Sequence, residues 1–366
     1  MNDYPFTPLI QKLPATVPFV GPEAQERARG RAFKARLGAN ENVFGPSPKA
    51  IAAMEQAASD VWMYGDPENH DLRAALAAHH DTTPENICVG EGIDGLFHTV
   101  AQMFIEEGTP VVTSLGGYPT FNYQIAGQGG TLHTVPFADD QEDLQGLAAK
   151  AREVGARLVY VANPDNPMGT WWDAAAVQNM IDALPEGCVL CLDEAYIDFA
   201  PEGTAPALDL ANRQVLRFRT FSKAYGMAGA RIGFVIGEAG LIKAFDKVRN
   251  HFGINRIAQA GALAALGDQD YLRNVVRQVA EARQRIATIA VENGLTSLPS
   301  ATNFVALDCG GEEARAKAVL AGLLERDIFV RMPWVAPQTR CIRVSVGTPA
   351  DLDLLEAALS DALATI

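Results

Sequence analysis

The feature that most restricts the fold is a series of seven short apolar runs between residues 86 and 237, alternating with stretches of helical periodicity. The runs are NICVG (86–90), PVVTS (110–114), TLHTV (131–135), RLVYVAN (157–163), CVLCLDE (188–194), QVLRFRT (214–220) and RIGFVIG (231–237). Several are almost continuously apolar, as strands covered on both faces are, whereas a strand with one wet face alternates. The pattern predicts an α/β fold whose large domain has three layers around a mostly parallel sheet. Helical stretches follow at 238–250, 254–266 and 270–293, the last carrying Val275, Val276, Val279, Ile286 and Ile289 on one broad side.

A second, smaller α/β pattern then begins: NFVALD (303–308), a helix over 312–326, IFVR (328–331), CIRVSVG (341–347) and a helix after Pro349. The first 45 or so residues lack periodicity and are rich in Pro and Gly, so they read as an arm packing with the small domain. The expected division is therefore an arm over 1–45, a large domain over 46–266 and a small α/β C-terminal domain over 267–366.

With 44 acidic against 30 basic residues the chain carries a formal charge of -14, which excludes a generally basic face for nucleic acid or anionic membrane. Partners are then small molecules or a second copy. Five scattered cysteines in apolar runs suit reduced thiols. In CVLCLDE, strand alternation sends Cys188 and Cys191 to opposite faces, against a metal or redox pair. The start, MNDYPFTPLIQKLP, has no basic segment followed by an apolar run, and no stretch approaches the roughly 20 apolar residues of a membrane span. A cytoplasmic protein is expected.

In an open α/β sheet, ligands bind beyond the carboxyl ends of the strands. RLVYVAN runs into NPDNPMG with Asn166, CVLCLDE ends at Asp193, and QVLRFRT runs into FSKAYGMAGARIGF, which holds Ser222, Lys223 and Arg231. If the strands are neighbours, Asn166, Asp193 and Lys223 meet in one crevice. Most loop lysines are merely solvated, but an amine kept partly neutral forms a Schiff base with an aldehyde. A buried Asp193 could pair with the pyridinium nitrogen of pyridoxal phosphate and keep that ring an electron sink; the plainer reading is a turn cap. GEGIDGLFHTVAQMF opens a helix marked by Ile93, Leu96, Phe97, Val100 and Phe104, so its first amides could bind an anion. It fits G-x-G-x-x-G, but PVVTSLGG ends without the acidic residue that a dinucleotide's ribose would want. A single phosphate fits better.

The chain resembles the class I/II, fold-type I pyridoxal-phosphate aminotransferases, and most closely their histidinol-phosphate aminotransferase group. The resemblance rests on GANENVFGPSP, YGDPENHDLR, GEGIDGL, GYPTFNY, NPDNPMG, DEAYIDF, FSKAYGMAGARIGF and IRVSVGTP, in that order over almost the whole chain. It implies that Lys223 holds the cofactor as a Schiff base, that Asp193 pairs with the pyridine nitrogen, and that Asn166 and Tyr196 bind the phenolic oxygen. Ser222, Arg231 and the Gly92–Ile93–Asp94 segment, by its backbone amides, would hold the phosphate. Phe121 would lie over the ring, and Tyr64 would reach the phosphate from the other subunit of a homodimer. Arg343 would take the substrate carboxylate, Arg331 a substrate phosphate, and Asn42 would also contact substrate. Two residues depart from the group's usual pattern: Phe19 stands for a phosphate-binding tyrosine, and Gly95 for an acidic residue. A different amine donor, aromatic or otherwise, therefore stays open.

The resemblance implies an aminotransferase that moves an amino group from a donor to a 2-oxo acid by a ping-pong route. A phospho-amino-acid decarboxylase on the same scaffold, or a non-catalytic ligand-binding protein, would keep the same site. No metal site is expected, since His70, His79, His80, His98, His133 and His251 lack ligand spacing.

Overall fold

In the computed structural model, which describes residues 4–15 and 20–366, all seven apolar runs are strands. Phe19 lies outside the described residues. In chain order the strands are β1 (Ala35–Arg36), β2 (Ile87–Gly90), β3 (Pro110–Ser114), β4 (Thr131–Val135), β5 (Leu158–Ala162) and β6 (Val189–Asp193). They continue with β7 (Val215–Thr220), β8 (Gly233–Ile236), β9 (Thr296–Ser297), β10 (Phe304–Asp308), β11 (Ile328–Phe329) and β12 (Cys341–Ser345). The main sheet has the order β2-β8-β7-β6-β5-β3-β4. β3 to β7 pair in parallel, and β8 runs antiparallel to both of its neighbours. The carboxyl ends of β2, β3, β5, β6 and β7 and the start of β8 thus share one edge.

Strand alternation makes this a three-layer structure. Val112, Val159, Val161, Leu190 and Leu192 pack on one side with helices Leu144–Val154 and Ala174–Asp182. Val111, Leu158, Tyr160, Cys191, Phe218 and Val235 pack on the other with helix Gly92–Phe104. Cys188 and Cys191 fall on opposite sides, both fully buried, and burial pushes both thiols up, Cys188 to about 12. That helix presents Ile93, Leu96, Phe97, Val100 and Ala101 to the sheet at helical spacing. Phe97 touches Phe121, Tyr160 and Phe218, so truncation there would cost about 3–5 kcal/mol.

The expected helix over 238–250 is shorter than its pattern: Ala239–Ala244 gives way to a 3-10 turn, Phe245–Lys247. Phe245 is fully buried there, and Arg249 turns away to donate to the Pro67 carbonyl at 3.0 Å. Helices Arg256–Leu266 and Gln269–Glu292 lead to an antiparallel sheet β12-β10-β9, flanked by Glu313–Glu325 and Pro349–Leu363. The last helix starts with a reciprocal cap between Thr348 and Asp351. The N-terminal stretch reaches this region directly, since β1 pairs in parallel with β11. Among the described residues no helix is long and apolar enough to cross a membrane.

Candidate active site

The shared strand edge opens into a cavity of about 670 Å³. One wall comes from the residues just after or before the strands of the main sheet: Ile93 and Asp94 after β2, Tyr118 after β3, Asn166 after β5, and Asp193 at the end of β6. Ser222 and Lys223 follow β7, and Arg231 precedes β8. The far wall carries Arg331, Met332, Trp334 and Arg343, together with Leu320 and Leu324 from helix Glu313–Glu325.

Asp193 is 4 % exposed, and two donors hold it: the Tyr160 hydroxyl at 2.9 Å on Oδ2 and the Ala195 amide at 2.9 Å on Oδ1. Burial pushes its carboxyl up to about 6, while these bonds and the Lys223 charge pull the other way. Lys223 Nζ donates to the Asn40 carbonyl at 3.1 Å and lies 5.5 Å from the centre of the Tyr196 ring. Tyr196 in turn accepts from the Asn40 amide at 3.1 Å.

At the other end of the cavity, helix Gly92–Phe104 begins without a side-chain cap, which leaves its first amides free for an anion. Gly92 has φ +73°, and a Cβ there would stand 2.8 Å from Arg231 Nη2, so only glycine leaves this cradle open. Arg231 reaches Ser222 Oγ at 3.5 Å and pairs with Asp94 at 3.4 Å. Asp94 also accepts from the Tyr118 hydroxyl at 3.1 Å.

Arg343 is buried and donates to Asn166 Oδ1 at 2.6 Å and to the Gly38 carbonyl at 3.3 Å. Its Nε has no partner, and burial lowers its pKa to about 10. A buried guanidinium without a carboxylate is costly, so this group is poised for an anion. Arg331 is joined to Arg343 through a backbone bridge and donates to the Val20 carbonyl at 2.8 Å. It also lines the cavity, half-buried.

Three expected site residues lie off this cavity wall. Phe121 is fully buried and stacks on Tyr160 at 4.6 Å beneath the cavity, because helix Pro119–Gly127 turns its third residue into the sheet. The aromatic residue that this segment brings to the cavity wall is Tyr118, immediately before that helix. Asn42 does not line the cavity; its amide donates to the Lys223 and Ala224 carbonyls at 3.0 and 3.2 Å and so braces the lysine loop. Its place is taken by Asn40, whose φ of 55° turns its polar groups inward toward Lys223, Tyr196 and Ser345. Tyr64 is 77 % exposed and packs on Phe252, well outside this chain's own cavity wall. Tyr160, which the sequence hides within an apolar strand, is the residue that reasoning from motifs missed outright.

These residues fit pyridoxal phosphate: a lysine amine, a buried carboxylate for a ring nitrogen, an open cradle with an arginine for the phosphate and, beyond, a buried guanidinium whose Nε has no partner. Residues 34–359 match the model of the family "Aminotransferase class I and II". Histidinol-phosphate aminotransferase 2 of Carboxydothermus hydrogenoformans is 34% identical over 93% of this chain and 94% of its own. The aromatic amino acid aminotransferase of Mycobacterium avium is also 34% identical, over 87% and 89%. The crystal structure of histidinol-phosphate aminotransferase from Sinorhizobium meliloti in complex with pyridoxal-5'-phosphate superposes with a TM-score of 0.96. It is 55% identical and covers 99% of this chain and 98% of that one. Strand-end chemistry, sheet order and whole-length similarity agree, and the chain belongs to the class I and II aminotransferases.

Proposed function

We propose that this chain is a pyridoxal-phosphate-dependent aminotransferase that takes its amino group from histidinol phosphate or a closely related amine and passes it to a 2-oxo acid. The observation that carries this reading is that Lys223, Asp193 and Arg343 open into one cavity, with the phosphate cradle at its other end. The cofactor, when bound, supplies an aldehyde and an electron-withdrawing ring. Lys223 Nζ would hold the aldehyde carbon, and the same amine, when free, would carry a proton at the donor's α-carbon. Asp193 keeps the ring nitrogen protonated, and Tyr160 keeps Asp193 ionised by donating to it. Asn166 and Tyr196 orient the ring through its phenolic oxygen. Ser222, Arg231 and the amides of Ile93 and Asp94 hold the phosphate, while Tyr118 borders the ring.

Arg343 anchors the carboxylate or equivalent anionic end of a substrate with its planar fork, and Arg331 stands beside it for a second anion such as a phosphate. Val330, Met332, Trp334, Leu320 and Leu324 form an apolar wall next to them, which favours aromatic amino acids as a second donor class. The working form is a cytoplasmic homodimer in which Tyr64 reaches the partner's phosphate site. The dimer is supported by the exposed apolar side chains of Val61, Trp62, Tyr64 and Phe252, the last two packed on each other. Residues 46–266 and 267–366 act as its large and small domains, with the arm over 1–45 docked on the latter.

The test is to mix the purified, cofactor-loaded protein with a panel of amines and follow the absorbance of the bound cofactor. Conversion by histidinol phosphate and parallel double-reciprocal plots are expected. Release of carbon dioxide without an oxo product would instead identify a decarboxylase, and no conversion by any amine would leave a binding protein.

A further inference from the structure

Behind the loop that carries Asn166, outside the cavity lining, lie two carboxyl groups that the proposed chemistry does not use. Glu142 and Asp165 are each 2 % exposed. Glu142 Oε1 accepts from the Ala162 amide at 3.4 Å, and Asp165 Oδ2 from the Met168 amide at 2.9 Å. The remaining oxygens, Glu142 Oε2 and Asp165 Oδ1, complete no regular hydrogen bond; the two carboxyl groups stand within reach of each other, with the Ser114 hydroxyl beside Glu142 and the Asn166 amide beside Asp165. Two ionised carboxylates cannot face each other in such a space without strong repulsion; a proton between them removes the repulsion and satisfies both orphan oxygens.

The pair is moored on both sides. Glu142 follows a tight turn in which Asp139 and Asp140 both have positive φ, 49° and 64°, with paired hydrogen bonds between Ala138 and Gln141. Asp140 on that turn binds Arg340 at 2.6 Å, the residue immediately before β12, which carries Arg343 into the cavity. The Asp140 carbonyl accepts from Thr170 Oγ1 at 3.0 Å, and the Glu142 carbonyl from Trp172 Nε1 at 2.8 Å. Asp165 immediately precedes Asn166, whose Oδ1 is held by Arg343 at 2.6 Å.

We propose that Glu142 and Asp165 share a proton and act as a positioning pair: they fix Asn166 and, through it, the Arg343 fork that receives the substrate carboxylate. Among the described residues the charged or titratable groups facing the pair are Arg343, toward Asp165, and Tyr160, toward Glu142. Burial and, for Glu142, the neighbouring Asp165 push both carboxyls up, which favours a proton retained between them. When the last proton leaves, Asp165 and Glu142 present a full extra negative charge behind Arg343, which then competes with the substrate's carboxylate for the same fork. The proposal rests on the reading of Arg343 as the carboxylate anchor.

The test uses the cofactor-loaded enzyme and 3-(imidazol-4-yl)propanoate, a carboxylate without an amine, titrated calorimetrically from pH 7 to 9 alongside steady-state kinetics. Glu142→Ala should raise Kd for this probe and KM for the donor about 10-fold, with kcat changed less than about 3-fold. Wild type should bind the probe more weakly as pH rises to 9; Glu142→Gln, whose amide donates to Asp165, should restore Kd to within about 2-fold and abolish that alkaline weakening. If Glu142→Ala lowers thermal stability or kcat and leaves Kd untouched, the pair is merely structural and the proposal fails. If Glu142→Ala does not fold, an alkaline weakening that persists unchanged in Glu142→Gln overturns it equally. Arg343→Ala separates the two readings. An unchanged Kd there refutes the anchor itself, whereas a raised Kd there with a normal one in Glu142→Ala refutes only the pair.

Discussion

Replacing Asp193 by Asn should make the cofactor-free protein more stable at pH 8 while nearly abolishing turnover. The carboxyl is almost fully buried, and burial raises its pKa from 3.8 to about 6. A raised acid favours the fold while it is protonated, so its contribution is fully present below pH 3.8 and is lost as pH rises through 6. The loss is about 2.2 units at 1.36 kcal/mol each, or about 3 kcal/mol. An asparagine carries no such penalty. It keeps an oxygen for one of the two donors, Tyr160 or Ala195, and turns an amide toward the other, which costs about 1–2 kcal/mol. The net gain at pH 8 is then about 1–2 kcal/mol, a rise of a few degrees in melting temperature. At pH 4 only the lost hydrogen bond remains, and the order reverses. Turnover should fall about 10²- to 10³-fold, the consequence of removing about 3–4 kcal/mol of buried charge pairing with the ring nitrogen. Calorimetric melts of both proteins at pH 4 and pH 8, with cofactor removed, decide the first half, and single-turnover absorbance decides the second. An Asp193→Asn protein that melts below wild type at pH 8, or that keeps a tenth of its activity, would refute this account of why a charge is buried there.

Other substitutions probe separate parts of the site. Lys223→Ala should bind the cofactor through the phosphate cradle yet turn over nothing, read by equilibrium dialysis beside activity. Gly92→Ala places a methyl 2.8 Å from Arg231 Nη2 at φ +73°, so it should cost about 1–3 kcal/mol of stability and weaken cofactor affinity at least about 10-fold by fluorescence titration. Arg231→Ala should weaken that affinity about 10- to 100-fold without altering the fold, as checked by circular dichroism. His80 is driven down to about 3 by burial and by Arg219, so its contribution is present above pH 6.5 and is lost as pH falls toward 3. Its partly exposed ring limits the effect to roughly 1 kcal/mol, and His80→Gln should flatten the acid side of a urea-denaturation profile by that amount.

Residues that end a strand were legible because two constraints act on them together: the apolar run fixes where the strand stops, and the fold places every such stop on one edge. Asn166, Asp193 and Lys223 were expected to converge for this reason, and they line one cavity together with Arg231 and Arg343. The errors lie where one constraint is missing. Tyr118 and Phe121 sit three residues apart around a helix start, and only the direction of that helix decides which of them faces the sheet. Asn40 and Asn42 share an aperiodic stretch in which a single positive φ sets the orientation. Tyr160 is one of five consecutive buried residues of β5, and nothing in an apolar run distinguishes a hydroxyl that meets a carboxylate from one that merely packs. The two-residue strands β1 and β9 are too short to leave a period at all.

The pairing of β1 with β11 also bears on how the molecule is made. Ala35 and Ile328 lie about 290 residues apart, the slowest kind of contact to close. At about 5–20 residues per second a ribosome needs roughly 15–60 s to span that distance. Throughout that time the segment leading to Asn40 has no partner strand. The main sheet, with Asp193 and Lys223 at its edge, can form on the nascent chain well before Asn40 docks against them. Catalytic competence is thus the last property this polypeptide acquires during synthesis, and a chain released before residue 329 would carry the lysine without the wall that completes its pocket.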